Sequence, residues 1–190
     1  MNSRGALKPR SGACFRTMVG ALILAAWVDS PALAVTMGVG ISHGQDTDDV
    51  SVGARWDWPG LVDDWSKGVH ALGRVEFDIT NFQGERNAPR HDNVRALAVI
   101  PEVRLSPERG SNVPFVDLGL GLGGVSEVTI NGDRHFASTF QFTELLRVGL
   151  RAGLGGRWEV ALSAQHFSNA GLKKPNDGIT YGGVSLAWRF

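Results

Sequence analysis

His166 and Ser168 stand two residues apart in the run His166-Phe167-Ser168-Asn169-Ala170-Gly171-Leu172-Lys173-Lys174-Pro175-Asn176-Asp177-Gly178. Side chains alternate along a β-strand, so residues at i and i+2 share one face. Local structure alone can therefore bring a base beside a hydroxyl, the two parts of a catalytic pair. Many strands carry a His-x-Ser by chance, and the spacing is weak evidence until its surroundings are known.

Alternation is the dominant pattern of the chain. Over Val69 to Asn81 the odd positions read Ala71, Gly73, Val75, Phe77 and Ile79, and the even ones Arg74, Glu76, Asp78 and Thr80. One face is apolar and the other charged. The final run sets Gly182, Val184, Leu186, Trp188 and Phe190 against Gly183, Ser185, Ala187 and Arg189, and the sequence stops on the aromatic. That ending resembles the C-terminal assembly signal of outer-membrane barrels. After residue 34 no apolar stretch is long enough for a transmembrane helix, whereas alternation is the signature of a membrane β-barrel.

The N-terminus agrees with that destination. Arg4, Lys8, Arg10 and Arg16 form a basic region, Met18 to Val28 is apolar, and Pro31-Ala32-Leu33-Ala34 offers small residues before Val35. This is the layout of a secretory signal peptide over 1–34, leaving 35–190 as one barrel domain. Cleavage removes the only cysteine, Cys14, and turns 19 basic against 19 acidic residues into 15 against 18. No thiol chemistry is left, and nothing points to nucleic acid.

Eight strands are expected, at 35–42, 50–58, 69–81, 94–105, 113–124, 139–152, 158–168 and 180–190. The fold class is all-β, an eight-stranded antiparallel transmembrane β-barrel, small enough for its interior side chains to fill it. Trp56, Trp58, Trp158, Trp188 and Phe190 fall at strand ends on the periplasmic side, and Phe82, Phe140 and Phe142 towards the other rim. In Gly119-Leu120-Gly121-Leu122-Gly123-Gly124, Leu outside and Gly inside suits a narrow barrel better than a phosphate loop. Strand seven runs outward from Trp158, and His166 and Ser168 share parity with Val160, Leu162 and Ala164. The pair should face the membrane at the extracellular end of its strand.

The 166–178 run closely resembles the signature of the PagL family, outer-membrane lipid A 3-O-deacylases. The resemblance implies that His166 is the base and Ser168 the nucleophile of an ester hydrolysis through an acyl-enzyme. It implies an oxyanion role for Asn169 with the Gly171 N–H. Asn176 is implied as a brace of the loop, and Phe142 as a supporting aromatic on the preceding strand. The implied partner is lipopolysaccharide, through its lipid A, within outer-membrane lipid. No cofactor and no metal are implied, and a homodimer is left open.

One position departs from the family. The acid that orients the histidine falls where this chain has Thr180, which carries no charge. Glu144 interrupts the outward series Phe140, Phe142, Leu146, Val148 and Leu150. A turn centred at Gly155 would set it opposite His166, so Glu144 is the substitute acid to test, against a plain interfacial glutamate. Asp177 is a weaker candidate, because Asp-Gly is an ordinary turn. His43, His70, His91 and His135 form no metal-binding spacing. His91 and His135, with Arg86, Arg90 and Arg134, read as solvated loop charge before lipopolysaccharide contacts. The rival readings are a non-enzymatic structural or adhesive barrel on the same scaffold, and a soluble periplasmic β-sandwich.

Overall fold

The computed structural model describes residues 34–58, 68–84, 93–107 and 112–190. The expected signal peptide, apart from Ala34, lies outside these residues, as do His91, Arg86, Arg90 and most of the 59–68 link. Eight strands close an antiparallel barrel: β1 (Val35–Gly44), β2 (Thr47–Trp58), β3 (Val69–Gly84), β4 (Asn93–Pro107), β5 (Val113–Val125), β8 (Phe140–Ala152), β9 (Trp158–Ser168) and β10 (Ile179–Arg189). Two short strands, β6 (Thr129–Ile130) and β7 (Arg134–His135), form a hairpin within the β5–β8 link. Closure is made by β1 on β10, from Thr36 opposite Arg189 to His43 opposite Gly182.

The apolar faces point out. Phe77, Ile79, Leu118, Leu120, Leu122, Val160 and Leu162 are all exposed, while Arg74, Glu76, Asp78 and Asp117 are buried inside. A soluble sandwich would bury the first set, so the inversion marks a barrel solvated by lipid. Trp158 and Trp188 meet edge to face at 4.6 Å, and Trp56 and Phe77 at 5.3 Å, near the rim that carries the chain ends. Phe140 and Phe142 do the same at 5.1 Å towards the opposite rim. Phe82 does not join them. It shares the inward parity of Asp78 and Thr80 and is fully buried against Phe167 and Tyr181.

The interior has two halves. Towards the terminal rim, Arg55, Arg74, Arg104 and Arg147 interlock with Asp57, Glu76, Glu102, Asp117 and Glu159. Arg104 holds Asp117 with two bonds of 2.6 and 2.8 Å and also bonds Glu159. Such bidentate pairing is what permits charges to be buried at all. Towards the opposite rim the filling is mixed, with Phe82, Val94, Ala96, Ile100, Phe167, Ile179 and Tyr181 packed among buried Asp49, Thr80, Gln141 and Thr143. Ile130 and Phe136 from the β5–β8 link cap it and are themselves fully buried. The alternating glycines of β5 match the expectation of a narrow barrel. A Cβ at Gly119 would stand 2.7 Å from Ile100, and one at Gly121 2.5 Å from the Val99 carbonyl.

The link between β1 and β2 differs from the longer polar loop expected. β2 begins at Thr47, leaving the two-residue turn Gln45-Asp46, both at positive φ (48° and 65°). That is the backbone of a type I′ hairpin, which suits the right-handed twist of the flanking strands.

Candidate active site

β9 ends at Ser168, and the segment 169–178 folds back to start β10 at Ile179. Because the strand alternates, His166 and Ser168 open outward while Gln165 and Phe167 are buried in the barrel. The β8–β9 link, a single 3-10 turn over Leu154–Gly156, fixes the register with Gly153, Gly155 and Gly156 at positive φ. That register sets Glu144 opposite His166 and Phe142 opposite Ser168. On the other side Thr180 is opposite His166. Thr180, His166, Glu144 and Leu120 thus lie in one cross-strand row, and β5 carries it to β4.

The row explains which neighbour reaches the ring. His166 Nδ1 and Thr180 Oγ1 are 2.7 Å apart. The Thr180 N–H donates away from β9, to Gln45 Oε1, and the Thr180 carbonyl faces Gly44 of β1. His166 and Thr180 are therefore a non-hydrogen-bonded pair, with Cα atoms about 4.5 Å apart rather than about 5.5 Å, and their side chains are the closer for it. By the same alternation Glu144 sits in the wider pair with His166, and its carboxylate makes no hydrogen bond to the ring. Gly178 (φ 60°) walls the other edge of the imidazole. A Cβ there would stand 3.0 Å from Cε1 and 3.3 Å from Nε2. Ser168 Oγ and the ring are not hydrogen-bonded, a common condition before substrate tightens such a site.

Asn169 is fully buried, and its Nδ2 donates to the Phe136 carbonyl (2.9 Å), the Lys173 carbonyl (2.9 Å) and Ser138 Oγ (3.2 Å). Its Oδ1 accepts the Gly171 N–H at 2.9 Å. The Asn169 amide is thus bonded to the Gly171 N–H through Oδ1 and to the loop through Nδ2. Asn176 is half-exposed, and its Oδ1 accepts the Asn169 N–H at 3.2 Å. That bond turns the Asn176 amide towards the end of β9, and among the described residues its Nδ2 makes no hydrogen bond.

His43 is an outward residue of β1 paired with Asp48 across the hairpin, Nδ1 to Oδ1 at 2.8 Å. Arg134 and His135 are half-buried, and the His135 ring Nδ1 lies 3.2 Å from Thr129 Oγ1. The His135 N–H donates to Asp177 Oδ2 (2.7 Å), the Asp177 N–H to the His135 carbonyl (2.9 Å), and Arg134 Nη1 to the Gly178 carbonyl (3.2 Å). Asp177 is thereby occupied by the hairpin and does not face His166. No spacing announced these contacts, which join segments about forty residues apart.

Beside the row, an outward cavity of about 740 Å³ is lined by Val103, Leu105, Leu118, Leu120, Leu146 and Ala164, with Glu144, His166 and Thr180 at its polar end. It opens where the β4–β5 ladder lapses at Ile100 and Pro101, since proline has no N–H to give.

Comparison with known proteins identifies the family. The family model described as lipid A 3-O-deacylase (PagL) matches residues 50–189. The lipid A deacylase PagL of Pseudomonas aeruginosa is 31% identical over 150 residues, covering 78% of this chain and 81% of that protein. The lipid A deacylase PagL of Bordetella bronchiseptica is 29% identical over 76 residues, covering 40% of this chain and 41% of that one. The crystal structure of the outer membrane enzyme PagL superposes with a TM-score of 0.69 at 26% identity, over 82% of this chain and 98% of that one. The Neisserial surface protein A barrel, at 10% identity and a TM-score of 0.51, shares the fold alone, over 83% and 94% of the two chains. This chain belongs to the PagL family of lipid A 3-O-deacylases and is an outer-membrane β-barrel.

Proposed function

We propose that the protein hydrolyses the ester holding the 3-hydroxyacyl chain at the 3 position of lipid A, by a serine mechanism. One observation carries the reading: His166 and Ser168 open onto the lipid-facing side of the barrel, beside an apolar groove of about 740 Å³. A polar pair aimed at hydrocarbon costs about 2–7 kcal/mol if left unpaired. A structural barrel has no use for it. An enzyme acting on lipopolysaccharide within the leaflet needs it there.

In this mechanism the Nδ1–H of His166 donates to Thr180 Oγ1, which leaves Nε2 free to accept the Ser168 proton. Ser168 Oγ attacks the ester carbonyl, and the Asn176 Nδ2 amide stabilises the oxyanion. The C–O bond to the sugar breaks, and the imidazolium returns its proton to the departing sugar oxygen. Water, deprotonated in turn by His166, then attacks the acyl-enzyme and frees the 3-hydroxy fatty acid. Thr180 orients the ring but adds no charge. Glu144, facing the ring from β8, offsets the imidazolium through space. Residues 1–34 act as the signal peptide.

The test is mass spectrometry of lipid A from cells with and without the full chain. Expression is expected to remove one 3-hydroxyacyl chain, and Edman sequencing of the outer-membrane protein to begin at Val35. Unaltered lipid A would support the structural-barrel reading instead. Rates on purified lipopolysaccharide divide the roles further. Glu144→Gln is expected to slow turnover, because the amide keeps the shape but removes the charge that faces the imidazolium. Thr180→Ala should slow it by loss of orientation, and Asn176→Ala by about 10²-fold or more, as for other oxyanion donors. A wild-type rate for Glu144→Gln rules out the cross-strand acid.

A further inference from the structure

The wall of the imidazole is held from two distant places. Thr180, which bonds Nδ1, has its own N–H fixed by Gln45 Oε1 at 2.7 Å, across 135 positions of sequence. Gln45 Oε1 also accepts from Arg134 Nη1 at 3.4 Å, and the same nitrogen donates to the Gly178 carbonyl at 3.2 Å. Gly178 in turn lies against the Cε1–Nε2 edge of the ring. Asn131 of the hairpin link donates to the Asp46 carbonyl at 3.0 Å, tying the two loops together. Every residue that touches the imidazole from β10 or its approach is therefore anchored to the β1–β2 turn, to the β6–β7 hairpin, or to both.

The turn carries an independent mark. Gln45 is in the left-handed region (φ 48°), where a long side chain is uncommon and glycine or asparagine is usual. A residue kept in a sparsely populated conformation points to a use for its side chain. Close approach is enforced beneath it. A Cβ on Gly44 would stand 2.4 Å from the Thr180 carbonyl oxygen and 2.7 Å from Tyr181 Cα, so the turn lies directly on β10. Without the Gln45 acceptor the Thr180 N–H at the strand end has no barrel neighbour to bond, because β1 has already ended at Gly44.

We infer that Gln45 is a positioning residue of the hydrolytic site, acting through Thr180 on His166, with Arg134 as the cross-tie that carries the same restraint to Gly178. The inference rests on the deacylase reading. Gln45 touches no substrate. It fixes the backbone that sets the height of Thr180 Oγ1, and so the direction in which Nε2 faces Ser168. The β1–β2 turn, which carries no catalytic group, thereby becomes part of the catalytic frame.

The experiment uses the mature barrel in detergent with purified lipopolysaccharide, and compares wild type, Gln45→Gly, Gln45→Glu and Ser168→Ala. Gln45→Gly removes the acceptor while suiting the positive φ, so the urea midpoint should be unchanged or higher. Its kcat should fall at least about tenfold, the scale of a small misplacement of a catalytic group. KM should change by less than about twofold, because no substrate contact is lost. Gln45→Glu keeps Oε1 as an acceptor and should retain a rate near wild type. Full kcat for Gln45→Gly, or equal losses in the Gly and Glu variants, would overturn the positioning role while leaving the deacylase reading intact. A wild-type protein no faster than Ser168→Ala would overturn both.

Discussion

Ser168→Ala is expected to lower the deacylation rate by at least about 10⁴-fold, the scale on which loss of a serine nucleophile acts in other hydrolases. The change removes one oxygen from a half-exposed side chain at the end of β9, and among the described residues that oxygen makes no hydrogen bond. Asn169, the next residue, keeps the three acceptors of its Nδ2 and the Gly171 N–H that donates to its Oδ1. The variant should therefore fold, insert and show the gel shift on heating that marks an intact barrel. Lipid A from cells carrying it should keep all its acyl chains. Deacylation at a wild-type rate would remove Ser168 as the nucleophile and leave His166 to activate water directly.

Arg147→Ala should destabilise the barrel by about 3–5 kcal/mol, the cost of breaking a buried ion pair from one side. Arg147 is almost fully buried. It donates to Glu76 at 2.6 Å, to Asp117 at 3.1 Å and to Glu102 at 3.3 Å. Removing the guanidinium leaves Glu76 and Glu102 facing each other without it in a space closed to water. Arg147→Lys keeps the charge but not the planar fork, and should lose less. Urea titration of the refolded barrel in detergent reads the difference. A midpoint for Arg147→Ala equal to that of wild type would show that the carboxylates had found protons or other partners.

What could be read from the chain was the part governed by period two. Alternation in 69–81 and 182–190 led to the barrel, and parity along Trp158, Val160, Leu162 and Ala164 turned His166 and Ser168 outward. The glycines near 155 located the turn and hence the pairing of Glu144 with His166. Parity also assigned Phe82 to the inside. Its likeness to the rim aromatics Phe140 and Phe142 led away from a signal that was present. The anchoring of Asn169 was not readable. It depends on the Phe136 and Ser138 acceptors, which reach Asn169 only when the β6–β7 hairpin folds over the loop. Gln45 was hidden for the same reason, since glutamine is no turn former and its acceptor role exists only across the closure of β1 on β10. Thr180 was flagged as a missing charge. Its bond to the ring follows from which side of β10 its N–H faces, and residue types do not state that.

The two-part filling of the barrel bears on the chemistry as well as on the fold. Arg55, Glu76, Asp78, Arg147 and Tyr181 enclose a void of about 30 Å³, room for about a single water. Above it Phe82, Phe167 and Tyr181 meet ring against ring under Ile130 and Phe136. Among the described residues the interior is thus occupied by the ion-pair network and the ring stack above it. On the proposed reading the chemistry runs on the outer wall, and it asks for no solute path through the barrel. The inside of the strands is then free to serve stability alone while their outside serves the substrate.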